Sequence, residues 1–351
     1  MPAMTTSRNT RAAGALVALA LPFVLLASIG LALDSTAQAS SAGGTGCTGL
    51  YGWPVKPFDR AHPIRGSFGD PRTVFSDTRS ERTLLEGNGG FSFHQGLDIS
   101  ASDGSPVYAV SSGTVVRARG GRVTVECGNG RSFQYWHIEP VARVGQRAVP
   151  GKTLLGFIQP KREHVHLTHL ERGRAVNPLA PGRVTPYRDA TSPEVLDVAI
   201  IHGEVGRDLA PRVVAGRVTL VAEAIDTPAL PVPGRWHGFP VTPALLSWRI
   251  ETSDGQIVRQ HITRDVRRVV PKNDLFWRTF ARGAHQNWPV FAGRKEKFMT
   301  ARYLFKLSAR PFDTTTLRDG DYVLVVSAAD TAGNRNVRRL SFSIDNGLSG
   351  S

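Results

Sequence analysis

The sequence predicts an all-β chain made of two successive β domains. Short runs of β-branched and aromatic residues recur between glycines and prolines from about residue 53 onwards, which is typical of strands joined by tight turns. Long amphipathic helical patterns are absent from the first of these domains. The distribution of histidines changes near Arg188, because after this residue they no longer occur in close pairs. At 351 residues with 41% hydrophobic content, the chain is long enough for two packed cores.

The N-terminal residues have the pattern of an export signal. Arg8 and Arg11 precede an uncharged run over 12–33, and an Ala-Gln-Ala tripeptide follows at 37–39. We expect a signal peptide at 1–39 that is cleaved after the tripeptide, giving a secreted or cell-envelope protein with no stable transmembrane span after processing. A retained N-terminal membrane anchor is the alternative, because a span needs roughly 20 residues and the run is long enough.

Composition divides the rest of the chain. We expect a flexible linker at 40–52, a first β domain at 53–188, a β-sandwich domain at 189–346 and a tail at 347–351. The stretch from Asp319 to Ile344, with Asp330-Thr331-Ala332-Gly333-Asn334 between two strand patterns, resembles the last strands of immunoglobulin-like sandwiches. The resemblance implies an immunoglobulin-like second domain and carries no function.

Alternating patterns predict individual strands in both domains. They lie at 107–110, 113–117, 123–127, 132–137 and 153–157, and then at 217–225, 245–251, 256–259, 322–328 and 339–344. Gly128-Asn129-Gly130 separates two of these runs and predicts a hairpin, since these residues tolerate positive φ. His137 is expected to share a strand face with Phe133 and Tyr135, since strand side chains alternate.

Cys47 and Cys127 are the two cysteines of the chain. In an exported protein an even pair favours one disulfide. Two unpaired thiols are the alternative, because the sequence does not show that the two residues lie close enough to bond.

The chain is strongly basic, with 43 Lys and Arg against 29 Asp and Glu and a formal charge of +14. We therefore expect an anionic partner. The basic residues are dispersed and have no spacing typical of a nucleic-acid-binding motif, so nucleic acid is not expected. For an exported protein, peptidoglycan and anionic cell-wall polymers are the expected partners, and the oligomeric state stays open.

Half of the ten histidines fall between residues 94 and 169, in an HxxxD motif (His94 and Asp98) and an HxH motif (His164 and His166) among others. Strand residues two apart point the same way, about 6.6 Å apart, so one HxH histidine can bind a metal ion while the other reaches a water beside it. His94 and Asp98 would lie about 13 Å apart on a flat strand, so the chain must bend, and Gly96 can supply the bend. Two imidazoles and one carboxylate form the ligand set expected of a catalytic zinc.

These motifs belong to a longer pattern. The residues that carry it are Arg65-Gly66-Ser67-Phe68-Gly69, Phe93 to Ile99, Gly104, Pro106, Val107, Gly113 to Val115, Tyr135-Trp136-His137, Val144-Gly145-Gln146 and His164 to Leu167. In this order and at these separations, the segment from about Trp53 to Asn177 resembles the lysostaphin/LytM-type peptidoglycan endopeptidases, the M23 peptidase family. The resemblance implies a LytM-like antiparallel β peptidase domain.

The family's roles, carried over by position, make His94, Asp98 and His166 the ligands of one Zn2+ and make His137 and His164 the catalytic residues that flank the water. A neutral imidazole can take or orient the proton of that water, and which of the two histidines is the base stays open. The resemblance implies a zinc metalloendopeptidase that hydrolyses stem-peptide or cross-bridge bonds of peptidoglycan, and the N-terminal pattern predicts that it is exported.

Some residues depart from the family pattern. Gln159 to Glu163 replaces the small residues common before HxH, and the stretch 73–92 before HxxxD is long. We interpret His169 as an exposed bystander, with a contact to a metal ligand as the alternative. The four tryptophans of the second domain are interpreted mostly as sandwich core, with a sugar-stacking surface as the alternative; they are Trp236, Trp248, Trp277 and Trp288.

Two other functions stay open. Some relatives have lost their ligands and act as non-catalytic activators of other wall hydrolases, and the filled ligand positions disfavour this function here. A broader secreted protease that prefers glycine-rich substrates is favoured by the altered loops.

Overall fold

The structure is a computed structural model that describes residues 47, 49–76, 81–203 and 212–347. The predicted signal peptide at 1–39 lies outside the described residues. In the part of the chain that is described, no helix is both long enough and apolar enough to cross a membrane.

Strands account for most of the regular structure up to residue 176. They are β1 (Ile64–Gly66), β2 (Pro71–Phe75), β3 (Gly89–Phe93), β4 (Leu97–Ser100), β5 (Pro106–Tyr108), β6 (Gly113–Arg119), β7 (Arg122–Glu126), β8 (Arg131–Trp136), β9 (Ile138–Pro140), β10 (Arg147–Ala148), β11 (Leu154–Ile158), β12 (His164–Glu171) and β13 (Arg174–Val176). A short helix, α1 (Glu81–Glu86), lies between β2 and β3.

The later residues are also mainly strands. These are β14 (Glu194–Ile201), β15 (Val213–Val214), β16 (Arg217–Ile225), β17 (Leu245–Thr252), β18 (Ile257–Asp265), β19 (Val290–Phe291), β20 (Lys295–Glu296), β21 (Leu304–Lys306), β22 (Phe312–Asp313), β23 (Gly320–Ala329) and β24 (Arg335–Ile344). Helix α2 (Phe276–Thr279) and 3-10 turns at Gly234–Trp236, Asn273–Leu275, Ala292–Arg294 and Thr314–Thr316 join them.

The largest sheet of the first region has the strand order β1-β4-β12-β8-β7-β6-β10, with β13 also paired to β12. Its pairs are antiparallel. One face packs on a buried core that includes Trp53, Leu97, Tyr135 and Leu167. A smaller sheet, β5-β11-β9, packs on the same core through Val107, and the central position of β12 brings HxH beside β4 and β8.

Beyond residue 188, two sheets share a second core. The sheet β14-β16-β21 and the sheet β15-β24-β23-β17-β18 both contribute side chains to it, among them Leu220, Leu246, Leu324 and Phe342. The all-β prediction is therefore confirmed. The immunoglobulin-like assignment and the domain boundary at 188/189 stay predictions.

A further sheet joins the two regions in the order β20-β19-β2-β3. Strands β2 and β3 form an antiparallel hairpin that takes up much of the long stretch 73–92, and β19 pairs in parallel with β2. Nearby, buried Asp70 accepts hydrogen bonds from the amide (2.9 Å) and the hydroxyl (2.7 Å) of Thr242. Arg264 donates to the carbonyl of Gly69 at 3.0 Å, so the start of β2 is held by later residues.

The structure confirms two further predictions, the hairpin at 128–130 and the disulfide. Gly128, Asn129 and Gly130 all have positive φ and turn β7 into β8, as the hairpin prediction required. Cys47 and Cys127 are bonded to each other, which confirms the favoured disulfide and ties the start of the described chain to the end of β7.

Candidate metal centre

The HxxxD and HxH motifs meet because β4 and β12 are neighbours. Asp98 on β4 lies directly opposite His166 on β12 in the antiparallel register. His94 follows the end of β3, and its backbone N–H donates to the carbonyl of Asp70 at 2.8 Å. Three residues from three different segments thereby reach one point.

The ligand atoms of His94, Asp98 and His166 all lie within 4.8 Å of one another. Nε2 of His94 is 3.1 Å from Oδ1 of Asp98, Nδ1 of His166 is 3.0 Å from the same oxygen, and the two nitrogens are 2.8 Å apart. Ligands of a tetrahedral ion with bonds of roughly 2.0–2.1 Å lie about 3.3 Å apart. The donor set and its spacing therefore fit one small metal ion such as zinc.

Gly96 is required at the bend for a different reason from the predicted one. Its φ is not in the left-handed region. A Cβ on this residue would lie 2.4 Å from the carbonyl oxygen of Leu167 and 2.7 Å from Nε2 of His166. Glycine therefore allows the HxxxD segment to approach β12 closely, which brings the ligands together.

Hydrogen bonds orient the two ligand histidines. Nδ1–H of His94 donates to the carbonyl of Ser67 at 2.7 Å, so Nε2 carries the free lone pair that faces Asp98. Nε2 of His166 lies 2.8 Å from the hydroxyl of Thr168, two residues further along the same face of β12. With the proton on Nε2, the Nδ1 lone pair of His166 faces the centre.

His137 and His164 lie side by side at the edge of this centre, with ring centroids 4.6 Å apart. The His137 ring is 6.2 Å from that of His166, and Nε2 of His164 is 3.5 Å from Oδ1 of Asp98. The expected strand position of His137 is wrong. Strand β8 ends at Trp136, and His137 has φ +64, so its side chain leaves the buried face that Phe133 and Tyr135 share.

Two groups contact Nδ1 of His164. The carbonyl oxygen of Arg162 and Nη2 of Arg65 each lie 2.6 Å from it. When Nδ1 is protonated, Nδ1–H donates a hydrogen bond to the Arg162 carbonyl, and Nε2 is left as a proton acceptor. When Nδ1 is unprotonated, it accepts a hydrogen bond from Arg65, and Nε2–H is left as a donor. The contacts of His164 are therefore compatible with both protonation states of its Nε2.

Arg72 on β2 binds the outer oxygen of the Asp98 carboxylate, with Nη2 2.7 Å from Oδ2. Burial alone would raise the pKa of Asp98, but the neighbouring His94, Arg72, His164 and His166 hold it well below its usual value. Asp98 is therefore an anion at neutral pH, with Oδ1 left for a metal ion.

Burial also keeps the imidazoles neutral. It lowers the pKa of His94, and Arg72 adds to the effect. Burial lowers the pKa of His137 to about 4 and that of His164 to about 3. Because a neutral imidazole has a lone pair, these residues can bind a metal ion or accept a proton at pH 7.

A cleft of about 190 Å³ opens beside Asp98 and His164, and residues far along the chain form its other wall. There the rings of Trp236 and Trp288 stack with centroids 5.0 Å apart, and the guanidinium of Arg65 lies 4.2 Å from the centroid of Trp236. The interpretation of the tryptophans as mostly core is wrong for these two, because they lie outside the strands that cover the core. Trp248 is buried and Trp277 packs partly against that core.

His169 is not the exposed bystander that we expected. It is only 2% exposed, its ring stacks on Phe133 at 4.5 Å, and its Nδ1 lies 3.3 Å from the hydroxyl of Tyr51. An odd separation from His164 and His166 places it on the opposite, core-facing side of β12. His169 therefore belongs to the packed core and not to the metal centre.

Several partners of the centre are not among the predicted site residues. Arg72, Thr168 and the wall around Trp236 were not singled out as parts of a site, because their roles arise from strand pairing and from contacts between distant segments. Thr168 was predictable from the sequence, since it continues the i, i+2 pattern of HxH on one strand face.

Parts of this chain are similar to known proteins. No curated protein matches the chain. Similar solved structures include the M23 metalloprotease pseudoalterin from the deep sea (18% identity, 41% of this chain and 81% of that chain, TM-score 0.26) and the catalytic domain of the prophage-encoded M23 protein EnpA from Enterococcus faecalis (24%, 32% and 90%, 0.23). A zinc-containing peptidase from Vibrio cholerae is similar at 21% identity over 36% of this chain and 37% of that chain, with a TM-score of 0.27. Residues 92–178 match the model of Peptidase family M23, which confirms the resemblance of this segment to the M23 peptidases.

Proposed function

We propose that the chain is an exported zinc metalloendopeptidase that hydrolyses peptide bonds of bacterial peptidoglycan. The observation that carries the proposal is the convergence of His94, Asp98 and His166 beside the neutral pair His137 and His164. A metal site alone would fit a structural role, but a second pair of imidazoles next to it supplies the proton transfer that hydrolysis needs.

The proposed ligands are Nε2 of His94, Oδ1 of Asp98 and Nδ1 of His166. Three protein ligands of this type are the usual set of a catalytic zinc, whereas structural zinc sites have four. When bound there, zinc would polarise the scissile carbonyl and lower the pKa of a water molecule towards about 7. Arg72, Ser67 and Thr168 hold the ligands in place by accepting or donating at their outer atoms.

His137 and His164 are the proposed proton carriers. Nε2 of His164 accepts a proton when Nδ1–H donates to the Arg162 carbonyl, and it donates one when Arg65 binds Nδ1. Peptide hydrolysis needs both actions, because a proton must leave the attacking water and reach the departing amine. His137, half-buried and neutral, is placed to bind the tetrahedral oxygen or to share the proton.

The substrate and the location are inferred from the chain's chemistry. The formal charge of +14 would concentrate the protein on anionic wall polymers and on the carboxylates of peptidoglycan. The N-terminal pattern at 1–39 supports export. The resemblance of the segment to the lysostaphin/LytM-type endopeptidases supports peptide bonds of the wall as the bonds that are cut.

The test uses purified protein of residues 40–351. We expect one zinc per chain and release of dye from labelled peptidoglycan sacculi that a chelator abolishes and added zinc restores. His94→Ala should lose both zinc and dye release, whereas His261→Ala, which changes an exposed histidine on β18, should keep both. Dye release that survives in His94→Ala would refute the proposal. Zinc-free, inactive protein that stimulates an added wall amidase would favour the activator function instead.

A further inference from the structure

The segment before HxH is fixed in an unusual conformation. The exposed carboxylate of Asp103 accepts three successive backbone hydrogen bonds, from the amides of Lys161 (2.5 Å), Arg162 (3.1 Å) and Glu163 (2.7 Å). Lys161 and Glu163 have φ of +65 and +52, although neither is glycine. Because these hydrogen bonds define a single turn, the side chains of 161 and 162 are presented at a fixed place on the rim of the cleft.

A third cation reaches the same cleft from the opposite wall. Arg235 belongs to the 3-10 turn Gly234–Trp236, and its guanidinium stacks 4.6 Å from the ring centroid of Trp288. Its Nε lies 3.2 Å from Glu163, which leaves both terminal nitrogens of the guanidinium without a partner among the described residues. The stack and the ion pair hold Arg235 against the turn that carries the other two cations.

The charges of the cleft do not balance. Of its carboxylates, Asp70 is bound by Thr242 and Asp98 by Arg72 and the histidines. In the described part of the chain, Glu296 is the one lining carboxylate without an ion pair or side-chain hydrogen bond. The ammonium group of Lys161 and the guanidinium of Arg162 likewise have no side-chain partner among the described residues, so unpaired positive charge exceeds unpaired negative charge beside the metal centre.

We propose that Lys161, Arg162 and Arg235 form a carboxylate-binding subsite, so that the enzyme selects peptides with a free carboxylate next to the scissile bond. The proposal rests on the proposed function and narrows its substrate class. The three cations line the same small cleft as Asp98 and His164, so a carboxylate bound there lies within a residue or two of the bond at the metal centre. A carboxamide of the same shape is neutral and has one acceptor oxygen instead of two, so it would lose the ion pairs that the carboxylate forms with these cations.

This subsite distinguishes the chain from a protease for neutral, glycine-rich substrates. A pentaglycine bridge has no carboxylate along its length, so it gains nothing from the three cations. Peptide stems with free carboxylates, in contrast, would be bound by these cations. The replacement of small residues by Lys161 and Arg162 before HxH is therefore interpreted as a change of substrate charge.

The test compares two cross-linked muropeptide dimers that differ only in whether the carboxylates beside the cross-link are free or amidated. Zinc-loaded protein should cleave the free form with a kcat/KM about tenfold higher, the effect of about one net charge-assisted hydrogen bond. In the triple variant Lys161→Gln, Arg162→Gln, Arg235→Gln this ratio should fall to near one. The control variant Arg143→Gln, Arg147→Gln, Lys152→Gln removes equal charge from exposed positions outside the cleft and should keep the ratio.

Equal cleavage of both dimers by the unaltered protein, or an unchanged ratio in the triple variant, would overturn the subsite. Calorimetric binding of the two corresponding cleavage products, measured on the same proteins, gives a readout that does not need catalysis. The free-carboxylate product should bind about tenfold more tightly, and only the triple variant should lose the difference. Absence of cleavage with this binding difference intact would count against the peptidase function alone, and equal binding of both products would count against the subsite.

Discussion

The two oxygens of the Asp98 carboxylate have different partners, and Arg72 binds the outer one. Nη2 of Arg72 lies 2.7 Å from Oδ2, while Oδ1 of the same group lies 3.0 Å from His166 and 3.1 Å from His94. His94, Arg72 and His164 hold Asp98 ionised, and Arg72 is the one of these groups whose side chain is always charged. Arg72 lies on β2, in the hairpin that joins the two regions, so that hairpin takes part in building the metal centre.

Arg72→Gln should lower the affinity for zinc about 10- to 100-fold, because the outer oxygen of Asp98 loses the partner that fixes its orientation. The measurement is zinc competition with a chromogenic chelator, with kcat/KM on muropeptides as a second readout. Arg82→Gln is the control, since Arg82 forms an exposed ion pair with Glu86. Equal zinc affinity of the two variants would show that Arg72 does not position the ligand.

Thr168→Val should weaken zinc binding about tenfold while the fold is kept, because Nε2–H of His166 loses its acceptor and valine has nearly the shape of threonine. Thr168 is buried on β12, so thermal unfolding must be measured alongside. Thr124→Val removes another buried hydroxyl of the same sheet, on β7, and should leave zinc affinity unchanged. The prediction fails if both variants bind zinc as tightly as the unaltered protein.

Removal of the disulfide with Cys47→Ser and Cys127→Ser should lower the free energy of unfolding by about 2–5 kcal/mol, since the bond closes a long loop between residues 80 positions apart in sequence. Thermal unfolding should show a lower Tm for the double variant, and reductant should lower the Tm of the unaltered protein but not that of the variant. Zinc content should stay at one per chain, because neither cysteine contacts the centre. A Tm that changes neither in the double variant nor on addition of reductant would contradict a stabilising role of the disulfide.

Asp226 should make the protein less stable as the pH rises. Burial raises its pKa to about 8, and the charges of Asp189 and Asp330 add to the effect. Since the folded pKa exceeds the ordinary value, the folded state holds a proton that the unfolded state releases. The contribution to stability is therefore complete below about pH 4, declines as the pH rises towards 8 and is lost above it.

Asp226→Asn should remove this pH dependence, because asparagine is neutral and still accepts the amide hydrogen bond from Thr227. At pH 8 the variant should be more stable than the unaltered protein by on the order of a few kcal/mol, and the gain should vanish near pH 4. Denaturant titrations at both pH values provide the comparison. Asp59→Asn, at an exposed position, should show no such gain, and a pH-independent difference for Asp226→Asn would disprove the ionisation account.

Several strands of both regions were predictable because their information is local. Alternating patterns placed strands at 113–117, 123–127 and 217–225, and the structure has β6, β7 and β16 there. The pairing of HxxxD with HxH followed from motif spacing and from the family resemblance. The side-by-side position of His94, Asp98 and His166 then needed only the antiparallel register of β4 and β12.

The parts that were missed depend on contacts between distant segments. Arg72 reaches Asp98 because the start of β2 pairs with the end of β3, beside His94. Trp236 lines the cleft although it lies more than a hundred residues after Asp98 in the sequence. His169 was misjudged because the position of a residue on a strand face decides burial more strongly than its polarity does. His137 was placed on a strand because periodicity does not reveal a positive φ.

The parallel pairing of β2 with β19 ties completion of the centre to the direction in which the chain emerges. All three metal ligands are present once His166 has appeared, but Val290–Phe291 follows about 120 residues later, which takes several seconds at ordinary rates of synthesis. During that interval the outer edge of β2 has no neighbour and the far wall of the cleft is missing. A chain that folded as it emerged would therefore have its metal donors complete, and the outer edge of β2 unpaired, before its C-terminal half supplied β19 and the other wall of the cleft.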